Sequence, residues 1–457
     1  MTGGVYSRDR GQRGGLVVVA MAALLAFPAS GQPPRATPKA LPPSQEKPPA
    51  AAALAGAQEA LERQDYDTAA MLLESFLFVY PGHSEALFNL AYCYSLQGRT
   101  ADAIDLYRQT LEVDPSLLPP RFNLGLLLLE AGKPAEAVAE FEEVLDSQPD
   151  HARAHLYRGV GLDRLGHKER ALEEYRRAAE LDPRAAAPRH AALPLLLQKH
   201  AWGDAETLVR QLLDITPGDA ELTLALAELL VNQDEAEAAL AAYSDFLDAH
   251  PEGESASPST LGEIHMRAGW LARKLGRTEE ALHHFRGARE RGGDYYAQSS
   301  AVEEADTLAA LKRWKDAIAL YEAAVARQPG SAELHAALGY AYLENQQFEL
   351  AGRELLAALR LDPERIESYN HLASALYLSG ALEGAIEVLD RRAARAPETP
   401  GTLFLRAISY DKLNQCGPAI LYYGKFLAGN VDKESNQYFQ ASGRLRALKR
   451  SCRDRRK

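Results

Sequence analysis

Residues 86–115 read ALFNLAYCYSLQGRTADAIDLYRQTLEVDP. Apolar residues recur three and four positions apart in LFNLAYCYSLQG (87–98) and in TADAIDLYRQTLEVD (100–114), which is the spacing of two amphipathic helices. Gly98 lies between the two segments, where a left-handed residue can end a helix, and Pro115 stops the second one. The stretch therefore predicts a helical hairpin.

The same pattern recurs along the chain with a period of 34 residues. The prolines that mark it are Pro81, Pro115, Pro149, Pro183, Pro217 and Pro251, followed after an interruption by Pro329, Pro363 and Pro397. Alanine lies twelve residues before each of these prolines, and a large apolar residue lies eight residues before each. A small residue lies 24 residues before most of them, at Ala91, Gly125, Gly159, Ala227, Ala305, Gly339 and Ala373. We interpret the small residues as points where two helix backbones cross closely, because a larger side chain would push the helices apart.

Three blocks, at 86–115, 121–149 and 334–363, resemble tetratricopeptide repeats. The resemblance extends over about residues 50–433 and implies an all-α fold, an α-solenoid forming a right-handed superhelix of about eleven helix-turn-helix units. It gives repeats 1–6 at 50–253 and repeats 7–11 at 262–433.

Two further segments belong to this plan. A polar insertion at 254–261 interrupts the repeats, and we expect a local change of superhelical pitch there. Residues 434–457 are expected to form a capping helix and a basic tail, because a terminal repeat would otherwise leave its apolar face bare.

Residues 1–31 have the features of a secretory signal peptide. Arg8, Arg10 and Arg13 precede an apolar stretch from Leu16 to Phe27, and small residues follow it. The stretch is shorter than the roughly 20 residues that span a bilayer, so we expect no integral membrane span after cleavage; an uncleaved anchor is the alternative. Residues 32–49 hold seven prolines and predict an extended linker. The mature chain is therefore expected to be periplasmic or secreted.

The composition and motifs argue against several classes of protein. The formal net charge of -12 would repel nucleic acid. The sequence holds no HExxH, GxSxG or GxxxxGK[ST] motif, and repeats occupy nearly all of the mature chain. We therefore predict that the chain is not an enzyme and has no catalytic residues, no metal site and no cofactor. His283 and His284 are adjacent on a helix, so we expect them to face different directions and to be exposed.

Three cysteines are too few for a scaffold built from disulfides. Cys416 and Cys452 could pair in an oxidising compartment or stay free, since the sequence does not tell whether their Cα atoms come close enough. Cys93 is interpreted as a small buried residue of a helix.

The resemblance also implies where a partner would bind. In tetratricopeptide repeats the first helices of successive repeats line a concave groove. Taking the side opposite the packing leucines, the candidate groove residues are Phe88, Tyr92, Phe122, Leu126, Leu156, His190, Met266, Trp270, Tyr340, Asn370, Tyr377 and Phe404. Aromatic side chains suit peptide recognition because they offer large contact area at low entropic cost. The alternative is that many of these residues serve packing only.

Some relatives clamp the terminal carboxylate of a peptide with Lys, Arg and Asn on adjacent first helices. Asn89 and Asn123 match the Asn part of that pattern. Phe88 and Tyr92 stand where the clamp would need Lys and Asn, so binding of that kind is not expected.

Two functions are compatible with these features. The first, which we favour, is a non-catalytic scaffold that binds a protein or peptide partner in its groove, in envelope assembly or secretion. The alternative is an accessory subunit of an envelope enzyme that synthesises glycan or polysaccharide.

Overall fold

The computed structural model describes residues 48–251, 256–429 and 432–454, and every regular element in these ranges is an α-helix. This confirms the predicted all-α class. The segment predicted as a signal peptide and residues 32–47 of the predicted linker lie outside the described residues.

The helices fall into two compact units, divided between Glu235 and Ala236. Unit 1 contains α1 (Pro48–Glu62), α2 (Tyr66–Val79), α3 (Ser84–Leu96), α4 (Thr100–Val113), α5 (Leu118–Glu130), α6 (Pro134–Ser147), α7 (Ala152–Arg164), α8 (Lys168–Leu181), α9 (Ala187–Gln198), α10 (Trp202–Ile215) and α11 (Ala220–Asn232). Unit 2 contains α12 (Ala236–Ala249), α13 (Pro258–Lys274), α14 (Thr278–Arg291), α15 (Gly293–Ala310), α16 (Trp314–Arg327), α17 (Ala332–Glu344), α18 (Phe348–Leu361), α19 (Ile366–Leu378), α20 (Leu382–Ala393), α21 (Pro400–Lys412), α22 (Cys416–Ala428) and α23 (Asn436–Asp454).

Each unit is a solenoid in which neighbouring helices pair and successive pairs stack. The hairpins α1–α2 to α9–α10 lie in unit 1, and α13–α14 to α21–α22 lie in unit 2. With α11 and α12, which fall on either side of the division, the helices correspond to the eleven predicted repeats. The last helix, α23, packs on α22 and buries Ala441 and Leu448 in the terminal apolar cluster. It is the predicted cap.

Two predicted boundaries are wrong. The first helix begins at Pro48 inside the predicted linker, because proline lacks only an N–H that the first turn leaves unbonded. The predicted loop at 254–261 ends early: α13 begins at Pro258, and the Ser257 side chain accepts a hydrogen bond from the Thr260 backbone N–H. The extra residues of this region therefore lengthen first helices, since α13 has 17 residues and α15 has 18.

The small residues of the 34-residue pattern lie where helices cross. A Cβ added to Gly159 would lie 2.6 Å from Cε1 of Tyr175, and one added to Gly339 would lie 2.7 Å from Cγ of Leu355. In both pairs the obstructing side chain is the large apolar residue sixteen positions later, on the second helix of the same hairpin. The sequence interpretation of these positions is confirmed.

The fifth repeat departs from this rule because Leu193 stands at its crossing position. Leu193 is buried, and α9 and α10 pack less extensively than the other hairpins that lie within one unit. A cleft of about 480 Å³ opens beside them, lined by α8, α9 and α10. We attribute the looser packing to the bulk of this leucine.

Each hairpin turns through one residue with a positive φ. Gly98, at φ +75°, is the glycine that the sequence marked for this position. Six repeats place a residue other than glycine there: Gln64, His200, Asp234, Lys312, Gln346 and Asn414. A left-handed residue lets the following backbone N–H groups bond to the last carbonyls of the first helix. These hydrogen bonds retain the turn even where a Cβ atom makes the left-handed conformation less favourable.

Among the described residues, none of the helices is both long and apolar enough to cross a bilayer. Cys93 is buried and free, as interpreted from the sequence. Cys416 is disulfide-bonded, whereas the side chain of Cys452 lies outside the described part of the chain, so their pairing stays a prediction.

Candidate functional site

The first helices of successive repeats pack side by side within each unit. In unit 1 this holds for α5, α7 and α9, and in unit 2 for the pair α13 and α15 and for the series α17, α19 and α21. Each series presents one face on which neighbouring repeats contribute side chains at the same register.

Six of the candidate groove residues are buried and do not form an open surface. They are Phe88, Phe122, Leu126, Leu156, Met266 and Phe404, each less than a tenth exposed. The ring of Phe122, for example, lies 5.7 Å from that of Phe141 and 6.0 Å from that of Tyr157. The assignment of these six to an exposed groove is corrected: at Phe122 the second helix of the same hairpin and the next first helix cover the ring.

The two asparagines of the carboxylate-clamp pattern are also buried. Asn89 and Asn123 have no exposed side-chain surface, and Nδ2 of Asn123 donates a hydrogen bond of 3.2 Å to the Tyr107 hydroxyl. These side chains serve the core, so the partial match to the clamp does not form a binding surface.

The other six candidates reach the surface, but in different places. Tyr92 and His190 lie in unit 1, where the ring of Tyr92 meets Tyr66 edge-on at 6.1 Å. Trp270 on α13 is 40% exposed. In unit 2, Oδ1 of Asn370 accepts a hydrogen bond of 2.9 Å from Nε of Arg392, which ties this amide to the buried guanidinium. Tyr340 lies on α17, and Asn370 and Tyr377 lie on the neighbouring first helix α19.

Around Tyr340 and Tyr377 the structure forms a surface that we call the aromatic face, consisting of Trp314, Tyr340, His371, Tyr377 and Leu378. The rings of Tyr340 and His371 lie 4.6 Å apart and 31° from parallel, while Trp314 meets Tyr340 edge-on at 5.8 Å. These are favourable geometries for aromatic pairs, so the rings hold one another in place.

A cleft of about 580 Å³ opens on the aromatic face between α17 and α19. Its apolar lining comes from Tyr340, Leu343, Phe348 and Leu378, and its polar lining includes Ser374. Leu378 is 51% exposed, so part of its side chain is accessible to a partner. The cleft can accept an apolar side chain from a partner.

The cleft carries little charge of its own. Burial lowers the pKa of the His371 imidazole below its usual value, and Glu367 opposes this only in part, so His371 is neutral at neutral pH. Glu344 is then the one formally charged residue of the lining. At the next repeat, the Lys412 ammonium lies 4.2 Å from the centroid of the Tyr377 ring, a cation–π contact.

Sequence reasoning missed His371 and Trp314 as members of this face. His371 follows Tyr340 by 31 residues, one helical turn short of a repeat, and so lies beside it on the next first helix. A spacing of 31 residues from Tyr340 would therefore have identified His371 from the sequence. Trp314 begins a second helix, and no spacing rule for first helices selects it.

One expectation about the histidines is wrong. Within the described ranges, no group of three or more His, Cys, Asp or Glu side chains could hold a metal ion. His284 was expected to be exposed beside His283, but it is buried and its ring lies 5.7 Å from that of His265 on α13.

Comparison with known proteins agrees with this architecture. Two models, each described as tetratricopeptide repeat, match residues 54–116, 122–186 and 266–332, and residues 308–367. Together they cover about half of the chain.

The chain is 26% identical over 244 residues to TPR repeat-containing protein YpiA of Bacillus subtilis, over 46% of its own length and 56% of that protein. It is 28% identical over 123 residues to Superkiller protein 3 of Saccharomyces cerevisiae, over 26% of its own length and 8% of that protein. It thus spans little more than half of the first relative and less than a tenth of the second.

Solved structures with similar folds include a tetratricopeptide repeat protein from Parabacteroides merdae, with 18% identity, coverage of 54% of this chain and 95% of that one, and a TM-score of 0.38. MamA from Desulfovibrio magneticus is similar with 19% identity, coverage of 37% of this chain and 94% of that one, and a TM-score of 0.35. The repeat period, the helical hairpins with their small crossing residues and the two matching models lead to one conclusion: the chain belongs to the tetratricopeptide repeat family.

Proposed function

We propose that this protein is a non-catalytic scaffold that holds a protein or peptide partner on the aromatic face of unit 2. The observation that carries the proposal is the cleft between α17 and α19, where stacked aromatic rings and a half-exposed leucine meet solvent. Proteins of this repeat family are typically interaction scaffolds, which agrees with the proposal.

The rigidity of the aromatic rings and the apolar area of the cleft both favour binding. Tyr340 is fixed by Trp314 on one side and by His371 on the other, so little side-chain entropy is lost when a ligand packs against it. Apolar surface buried in the cleft contributes about 25 cal/mol per Å². Because the cleft lies between first helices of two repeats, an extended segment crossing those helices would pass directly over it.

We also propose that the scaffold works outside the cytoplasm, in envelope assembly or secretion. The support is the basic, apolar and small-residue order of positions 1–31. Fractionation of cells that produce the full chain, with mass determination of the product, tests this. A cleaved chain in the periplasm or medium is expected, whereas an intact chain in the cytoplasm would contradict export.

The binding proposal is tested by selecting binders from a library of random short peptides on the purified full chain. Tyr340→Ala should weaken the best binder by about 1–3 kcal/mol, or roughly 5- to 150-fold in Kd, because a fixed aromatic anchor is lost. Fluorescence polarisation measures the effect, and circular dichroism checks that the helices persist.

Leu361→Ala provides the matched control, because Leu361 is 46% exposed on the second helix α18 and lies away from the cleft. Its affinity for the selected peptide should equal that of the unchanged protein. An equal loss of affinity in both variants, or no loss of affinity with Tyr340→Ala, would exclude the aromatic face as the binding site.

A further inference from the structure

Three residues at the same register end the first helices of three successive repeats. Glu344 is the last residue of α17, Leu378 of α19 and Lys412 of α21, and they lie 34 residues apart. All three side chains are exposed. The row therefore presents an acidic, an apolar and a basic group in this order along the aromatic face.

Contacts connect the three positions into one surface. Glu344 and Leu378 line the same cleft, and Lys412 reaches back to the ring of Tyr377, the residue before Leu378. Asp411, next to Lys412, is already neutralised because both its carboxylate oxygens accept hydrogen bonds from Arg444, at 2.7 and 2.8 Å. The positive charge of Lys412 thus dominates its end of the row.

The helix dipole acts oppositely on the two charged residues, Glu344 and Lys412. A carboxylate at the C-terminal end of a helix lies next to the negative end of the helix dipole, whereas an ammonium group there is stabilised. In the described part of the chain no ion pair joins Glu344 to another side chain. A cationic group from a ligand would offset the unfavourable interaction of the Glu344 carboxylate with the negative end of its own helix dipole.

We propose that the partner of the aromatic face is an extended peptide segment with a basic residue, an apolar residue and an acidic residue spaced about three apart. This rests on the proposed function and specifies its ligand. Adjacent packed helices lie about 8–10 Å apart, and an extended chain advances about 3.3 Å per residue, so one repeat corresponds to about three residues. The basic residue pairs with Glu344, the apolar one enters the cleft against Tyr340 and Leu378, and the acidic one pairs with Lys412.

The test uses fluorescein-labelled heptapeptides and the full chain at low ionic strength. The probes are Lys-Ala-Ala-Tyr-Ala-Ala-Asp, its doubly basic analogue with Lys at both ends and its doubly acidic analogue with Asp at both ends. We expect the mixed-charge peptide to bind more tightly than either analogue by roughly 1.5- to 5-fold, the range for one exposed ion pair. The preference should disappear at high salt.

The decisive experiment reverses the charge of Glu344 and of Lys412 in separate variants. Glu344→Lys makes the row basic at both ends and should shift the preference to the doubly acidic peptide. Lys412→Glu makes it acidic at both ends and should shift the preference to the doubly basic one. Both side chains are exposed at helix ends, so both variants are expected to fold.

The outcomes separate this inference from the proposed function. If Tyr340→Ala abolishes binding of all three peptides but neither charge reversal changes their order, the charge pattern is overturned and the scaffold proposal stands. If no heptapeptide binds while a library peptide still binds and depends on Tyr340, the charge pattern alone is overturned. If Tyr340→Ala leaves the binding of every peptide unchanged, both are overturned.

Discussion

At the scale of single residues, the most unusual feature of the chain is a pair of buried histidines in unit 2. His265 and His284 are each 3% exposed, and both ring nitrogens of His265 and Nδ1 of His284 have no hydrogen-bond partner among the described residues. Gly287 leaves room for the ring, since a Cβ there would lie 2.4 Å from Cε1 of His265. Burial lowers the pKa of His265 to about 3 and that of His284 to about 4.

The charged groups around the pair act mainly in the same direction. His283 lowers the pKa of both imidazoles and Arg291 that of His265, while Asp248 on α12 raises that of His284 only partly. The two imidazoles are therefore neutral in the folded chain at physiological pH.

This pair predicts a loss of stability in mild acid. Unfolding restores the ordinary imidazole pKa near 6.5. Below that pH the unfolded chain therefore binds protons that the folded chain does not bind, and the free energy of unfolding decreases. The decrease continues until the pH reaches the pKa values of the folded chain, about 3 and about 4. The loss should be on the order of a few kcal/mol by pH 5, since one pH unit corresponds to about 1.4 kcal/mol for each group. Urea unfolding of the full chain at pH 7 and pH 5 measures it.

The variant His265→Leu provides the comparison, because a side chain that does not titrate removes one of the two protonation sites. It should show a clearly smaller difference between the two pH values. An unchanged pH dependence would assign the acid sensitivity to other groups.

At the scale of helices, the crossing positions decide how tightly a hairpin closes. Gly159→Ala puts a methyl group 2.6 Å from the ring of Tyr175, which is fully enclosed between the helices. The strain should destabilise the chain by about 1–3 kcal/mol despite the better helix propensity of alanine. Chemical denaturation measures the difference.

Gly424→Ala is the matched control, because Gly424 lies within α22 and, its own helix backbone aside, no atom of the described residues comes within 4 Å of an added Cβ. Alanine there should stabilise the chain by about 0.5–1 kcal/mol. If both substitutions had the same sign, close approach would not be the reason for glycine at the crossing.

The elements also show which features the sequence could predict. The hairpins were predictable because a 34-residue period repeats the same crossing and the same turn, so each repeat supports the assignment of the others. Where the period breaks, between Pro251 and Pro329, local patterns no longer locate the start of a helix, and α13 began four residues before the predicted repeat.

The candidate site was predictable only in part. Tyr340 follows from the register of the first helices, but Leu126, which like Tyr340 lies one residue after the crossing glycine of its repeat, is buried. Periodicity tells which side of a helix a residue occupies and not how closely the next hairpin covers that side. His371 was missed because its neighbour across the cleft belongs to another repeat.

At the scale of the whole molecule, the chain consists of two solenoid units built from one repeated hairpin. Such a fold differs from one relative to the next mainly in the side chains on its exposed faces, so its specificity depends on a few residues. We propose that in unit 2 these residues are those of the aromatic face together with Glu344, Leu378 and Lys412 at the C-terminal ends of α17, α19 and α21.

The most direct test of the account is hydrogen–deuterium exchange of the full chain with and without the best peptide selected from the library. A partner held on the aromatic face should slow exchange in the last turns of α17, α19 and α21 and leave α20 and the C-terminal half of α18 unchanged, whereas Phe348 at the start of α18 lines the cleft. Slower exchange confined to the second helices, or to unit 1, would contradict the central claim that this face of unit 2 holds the partner.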